Sequence, residues 1–188
     1  MRAARSSPRR SIAAAASFAD VLHAPGPDPE RATKLGLYAW LVGRWEMNVV
    51  TTPEDGSRHS AQGEIHAGWV LEGRAIQDVW MIPRLSERKP GAPQLPGAGN
   101  WYGTTLRIYD PSLDAWRILW NDPATGFFTR QTGRARGRDI VQEGPDPRGG
   151  SMRWTFTDLT PDSFHWTAER TTDGETWRLE VDIRAYRS

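Results

Sequence analysis

From position 44 onward, apolar residues recur at every second position in short runs, the period of a strand with one buried face. The pattern predicts ten strands, near 44–51, 58–69, 73–82, 101–109, 115–121, 127–134, 138–143, 151–158, 163–171 and 176–186. The joins at 53–56, 110–114, 121–126, 144–150 and 173–174 are rich in Asp, Gly, Pro and Asn, the residues that tight turns favour. Before position 43 the period is helical. Short helices are expected at 13–22 and 29–42, the second with Leu35, Leu37, Tyr38, Leu41 and Val42 on its apolar side. Ten strands without a crossover helix make an antiparallel meander. An open meander would expose its edges, so the expected fold is all-β, a closed up-and-down barrel preceded by one or two short helices. The connector 83–100, with four Pro and three Gly, is too long for a hairpin and is expected as a flap at the barrel mouth.

Parity sorts the side chains. Trp45, Met47 and Val49 share one face, as do Ile65, Ala67 and Trp69, then Trp116, Ile118 and Trp120. Met152, Trp154 and Phe156 follow the same rule, as do Phe164, Trp166 and Ala168, and finally Trp177, Leu179, Val181, Ile183 and Ala185. These apolar sets are expected inside. In the third strand Asp78 travels with Ile76, Trp80 and Ile82, while Gln77 travels with Ala75, Val79 and Met81, so one of the two polar residues must be internal. Tyr102 and Thr104 sit with Leu106 and Ile108, Gln131 follows Phe127 and Thr129, and Arg170 follows Ala168. An internal carboxylate needs a hydrogen-bonded partner, for which Arg170 or Arg74 is available. Asp78 therefore reads as a buried ion-pair member, a ligand anchor or a catalytic carboxylate.

At 188 residues with 38% apolar and 25% charged positions, the chain has the size of about one domain. No apolar run is long enough to span a bilayer, and the absence of cysteine removes disulfides and thiolate chemistry. Residues 1–33 carry five Arg and three acids, whereas the remaining 155 carry nineteen basic and twenty acidic groups. A body without basic excess argues against nucleic acid. The division expected is a flexible basic tail over 1–33, whose short helix is a possible lid, and a barrel over 34–188. Pro8-Arg9-Arg10-Ser11-Ile12 resembles a twin-arginine export signal, but its apolar stretch is short and no cleavage site follows. A cytoplasmic location is expected, with export as the alternative.

Gly43-Arg44-Trp45 opens the first strand, and Arg184 and Arg187 close the last. This resembles the calycin pattern of lipocalins and fatty-acid-binding proteins, which implies that the Trp packs against a C-terminal Arg. Residues 68–80 and 104–111 also resemble a group of uncharacterised bacterial calycin-like proteins. That likeness spans 43–188 and implies the fold without an activity. Two features depart from the superfamily: parity turns Arg184 and Tyr186 outward, and no helical hairpin follows the first strand. His165, the candidate for a haem ligand, also alternates outward.

The histidines His23, His59, His66 and His165 have no zinc-site spacing, and no nucleophile elbow, phosphate loop or dinucleotide fingerprint is present. Neither metal nor cofactor is expected. The leading reading is a barrel that binds a mainly apolar or aromatic small molecule, with Trp69, Gln77, Trp80, Tyr102, Trp120, Gln131 and Trp166 as contacts. The alternative is a cofactor-free isomerase, cyclase or hydratase using Asp78 as acid or base and Tyr102 as donor. A third is a structural protein whose cavity its own side chains fill. The partner expected is a small hydrophobic ligand or substrate, not nucleic acid or membrane, with the chain a monomer or homodimer.

Overall fold

The computed structural model describes residues 16–89 and 100–188. A short helix α1 (Phe18–Leu22) leads into a two-residue strand β1 (His23–Ala24) and a second helix α2 (Ala32–Ala39). Ten strands follow: β2 (Gly43–Thr51), β3 (His59–Val70), β4 (Ala75–Met81), β5 (Tyr102–Asp110), β6 (Ala115–Asp122), β7 (Phe127–Arg136), β8 (Asp139–Pro145), β9 (Ser151–Thr157), β10 (Ser163–Thr171) and β11 (Arg178–Arg187). Each pairs antiparallel with its sequence neighbour, and β11 returns to pair with β2, so the ring closes. The predicted strands all form. The one addition is β1, which pairs with Trp69 and Val70 at the end of β3.

One end of the barrel is plugged by α2. Leu35, Tyr38 and Leu41 are buried there, and the Tyr38 hydroxyl accepts a 2.9 Å hydrogen bond from Gln142 Nε2. Gly133 makes room for that hydroxyl, since a Cβ at this position would lie 2.4 Å from it. The helix is shorter than the predicted 29–42 because its end tightens, with Leu41 N–H donating back to the Tyr38 carbonyl. The same end receives β1, held further by Arg74 on Asp28 at 3.2 Å. Of the segment 13–22 expected as a lid, the described part, 16–22, thus enters the fold beside the plugged end. Within it, a capping box between Ser17 and Asp20 starts α1. Residues 13–15, the export-like run at 8–12 and most of the expected flap, 90–99, lie outside the described residues.

The motif on β2 packs as its resemblance implies. Trp45 is buried, its indole N–H donates to the Leu41 carbonyl at 2.8 Å, and the Arg187 guanidinium lies 4.1 Å above its ring. Arg187 also donates to the carbonyls of Trp40, Val42 and Pro161. Gly43, at φ +127°, is required by this contact, because a Cβ would meet the guanidinium at 2.7 Å. Arg184 instead pairs with Asp158 on the outside.

Parity holds along most strands and reverses in two places. On β5 the buried residues are Gly103, Thr105 and Arg107, while Tyr102, Thr104, Leu106 and Ile108 face outward, opposite to the expectation from their apolarity. The reason is a buried ion pair: Asp78 on β4 points in, and the residues facing it across the ladder point in with it. Gly103 fits because a Cβ there would strike the Trp120 ring at 2.5 Å. On β11 a bulge intervenes, since Ala168 pairs with Val181 but Glu169 pairs with Leu179. Glu180 is the extra residue. Val181, Ile183 and Ala185 face the core as predicted, but Leu179 is exposed and Trp177 lies outside, beneath the Arg153 guanidinium. A bulge that re-aims side chains is typical near barrel rims.

Candidate functional site

At the end away from α2, the barrel opens into a cavity of about 710 Å³. Five tryptophans wall it: Trp80, Trp101, Trp120, Trp154 and Trp166. The sequence places four of them on inward positions of four strands, β4, β6, β9 and β10, and Trp101 just before β5. Their rings meet edge-on or tilted, with Trp80–Trp166 at 5.3 Å, Trp154–Trp166 at 5.5 Å and Trp101–Trp120 at 6.3 Å between centroids. Each therefore braces its neighbours while offering part of its surface to the cavity. The volume lies within the range of small-molecule sites, roughly 300–1,000 Å³.

The rim is charged. Arg148 bridges Asp146 and Glu180, each at 2.8 Å. Arg170 reaches Glu54 at 2.9 Å and Asp146 at 3.3 Å, and Arg178 holds Glu180. The bulge at Glu180 makes this possible, since it keeps both Arg178 and Glu180 on the cavity side. Burial opposes ionisation of Asp146, but the hydrogen bonds from Arg148 outweigh it and hold the carboxyl below its ordinary range. The Arg148 guanidinium is correspondingly pushed up by the same contact.

Deeper in, Asp78 and Arg107 form an ion pair with both side chains fully buried. The second Asp78 oxygen accepts the Thr105 N–H at 3.1 Å. Arg107 also lies over the Tyr38 ring, at 5.3 Å. Burial pulls its guanidinium down to about 10, which leaves it charged at neutral pH, and pushes the Tyr38 hydroxyl up to about 12. The partner of Asp78 is thus neither Arg170, which serves the rim, nor Arg74, which serves Asp28. Arg107 lines the cavity and Asp78 stands behind it. Three buried nitrogens of the wall, Trp80 Nε1, Arg107 Nε and Arg170 Nε, make no hydrogen bond among the described residues, although Arg170 Nε lies 3.3 Å from Asp146.

Of the residues expected to contact a ligand, Trp80, Trp120 and Trp166 line the cavity. Gln131 is buried with both ends of its amide unpartnered among the described residues, but it is not part of the cavity wall. Trp69 belongs to the core at the plugged end, where it pairs with Ala24. Gln77 donates to Thr104 Oγ1 across β4 and β5. Tyr102 is 45% exposed under the Arg88 guanidinium. The two residues of the enzyme alternative, Asp78 and Tyr102, point to opposite faces of the sheet, so the structure does not bring them together.

Trp101, Arg107 and the rim residues Arg148, Arg178 and Glu180 were absent from the expected contacts. Arg107 and the β11 charges sit on positions that alternation assigned outward. His165 lies between Asp182 and Thr157 on the outer surface, and His66 beside Glu64. No group of three or more His, Cys, Asp or Glu among the described residues is placed to hold a metal ion. Likewise, no described helix is long and apolar enough to cross a membrane.

No protein-family model and no curated protein matches the sequence. Solved structures do. Rv2717c from M. tuberculosis superposes with a TM-score of 0.58 at 12% identity, covering 86% of this chain and 99% of that one. The S-type phycobiliprotein lyase CPES from Guillardia theta gives 0.50 at 10% identity, covering 85% and 96%. At such identities the similarity speaks for the fold alone, a closed antiparallel ten-stranded barrel.

Proposed function

We propose that this barrel binds a mainly apolar, aromatic small molecule between Trp80, Trp120 and Trp166, with Trp101 and Trp154 completing the wall. On the resemblance of residues 68–80 and 104–111, we also propose kinship with bacterial calycin-like proteins. The observation that carries the binding reading is the 710 Å³ cavity itself, which five indoles line without filling. A protein that needed these rings only for its core would pack them to the density of protein interiors. Here one end of the barrel is packed in that way, around Trp45, Trp116 and Phe156, and the other is hollow.

Ala168, inward on β10 and part of the wall, supplies the test. Polycyclic aromatic compounds titrated into the wild type are expected to shift its tryptophan fluorescence. Ala168→Phe would put a ring into the hollow, and the affinity is expected to fall at least tenfold while urea unfolding stays cooperative. Equal affinity in the two proteins, or a flat response across a broad set of aromatic compounds, would contradict the assignment.

A further inference from the structure

The electrostatics of the cavity narrow what it can hold. Four arginines belong to its wall, Arg107, Arg148, Arg170 and Arg178. Every one already has a carboxylate: Asp78 for Arg107, Asp146 and Glu180 for Arg148, Glu54 and Asp146 for Arg170, and Glu180 for Arg178. A fifth carboxylate, Asp122, is buried in the wall and accepts the Ala124 N–H at 3.0 Å, with no cation beside it among the described residues. The surroundings of the cavity thus carry more negative than positive groups. Moving a carboxylate out of water costs several kcal/mol unless a cation meets it, and no described wall cation is unpaired.

The wall nevertheless offers hydrogen-bond donors. Trp80 is 3% exposed and Arg107 1%, and Trp80 Nε1 and Arg107 Nε have no acceptor among the described residues. A buried N–H without an acceptor is costly, so these groups favour a guest that brings oxygen. Resting on the binding role proposed above, we propose that the ligand class is an uncharged planar aromatic molecule bearing carbonyl oxygen, with the Trp80 indole N–H as the donor to that oxygen. The indoles take the ring faces, the Trp80 N–H takes the carbonyl oxygen, and the paired rim excludes anions. Arg107 is no counter-ion for a guest, because its charge is already met by Asp78.

Three probes of one shape test this by calorimetry: 9-fluorenone, fluorene, which has CH₂ where the ketone has C=O, and 9-fluorenone-4-carboxylate. One net hydrogen bond corresponds to a factor of about two to ten in affinity. Fluorenone is therefore expected to bind about fivefold tighter than fluorene, and the carboxylate at least tenfold weaker than fluorenone. In Trp80→Phe, which keeps a ring but loses the N–H, the preference for fluorenone is expected to fall to about one, with fluorene affinity little changed. Fluorene binding as tightly as fluorenone, the carboxylate binding most tightly, or an unchanged preference in Trp80→Phe would overturn this inference and leave the aromatic cavity standing. Failure of all three probes to bind would overturn both.

Discussion

Arg107→Met is expected to destabilise the barrel by about 3–5 kcal/mol, the cost of leaving a buried charge without its partner. The Asp78 carboxylate lies wholly inside, with Arg107 as its only described cation and Thr105 N–H as its other contact. Without the guanidinium it must either stay charged in a poor medium or take up a proton. Asp78→Asn should be similarly harmful, because the orphan is then Arg107. Replacing both by apolar residues of similar shape, as in Asp78→Leu with Arg107→Met, is expected to recover most of the loss, since a buried pair contributes little net stability. The urea midpoint of the four proteins decides the matter. A single variant within 1 kcal/mol of wild type would show that the pair is not closed to water. The same series bears on the role of Asp78: a large stability loss in Asp78→Asn is what a structural ion pair entails, whereas a catalytic carboxylate would lose turnover with little change in stability.

Trp45→Ala should cost a comparable amount, about 3–5 kcal/mol, typical of emptying a large aromatic site in a core. Trp45 is 1% exposed, and its ring meets Trp40 at 6.0 Å and Phe164 at 5.0 Å. It also supports Arg187, which ties the last strand to the three carbonyls of Trp40, Val42 and Pro161. Removing the indole therefore loosens the plug and the seam between β2 and β11 together. Guanidinium unfolding followed by circular dichroism measures the change. A loss below about 1 kcal/mol would mean that helix α2 and not this stack holds the closed end.

The barrel was legible because its signal repeats. Ten alternating runs with turn residues between them constrain one another, and Gly43 with Trp45 marked the seam where Arg187 lands. What alternation could not reveal were the departures from it. On β5 the apolar Leu106 and Ile108 share the face opposite Thr105 and Arg107, so they drew the inside to the wrong parity, and the choice fell to the ion pair between Asp78 and Arg107. On β11 the extra residue at Glu180 leaves no mark in the pattern, yet it turns Leu179 out and Arg178 in. The wall tryptophans Trp80, Trp120 and Trp166 were visible as inward residues. Their separation from core rings such as Trp45 and Trp69 depended on which end α2 plugs, which only the folded chain shows. Arg107, Arg178 and Glu180 were missed because they depend on these two local reversals, and Arg148 because it lies in a turn that carries no alternation.

The most direct measurement is a crystal structure of the protein soaked with 9-fluorenone. Density for the tricyclic ring is expected among Trp80, Trp120 and Trp166, its oxygen within hydrogen-bond distance of Trp80 Nε1. A barrel whose open end is packed solid with its own side chains, or a compound found only on the outer surface, would contradict the account.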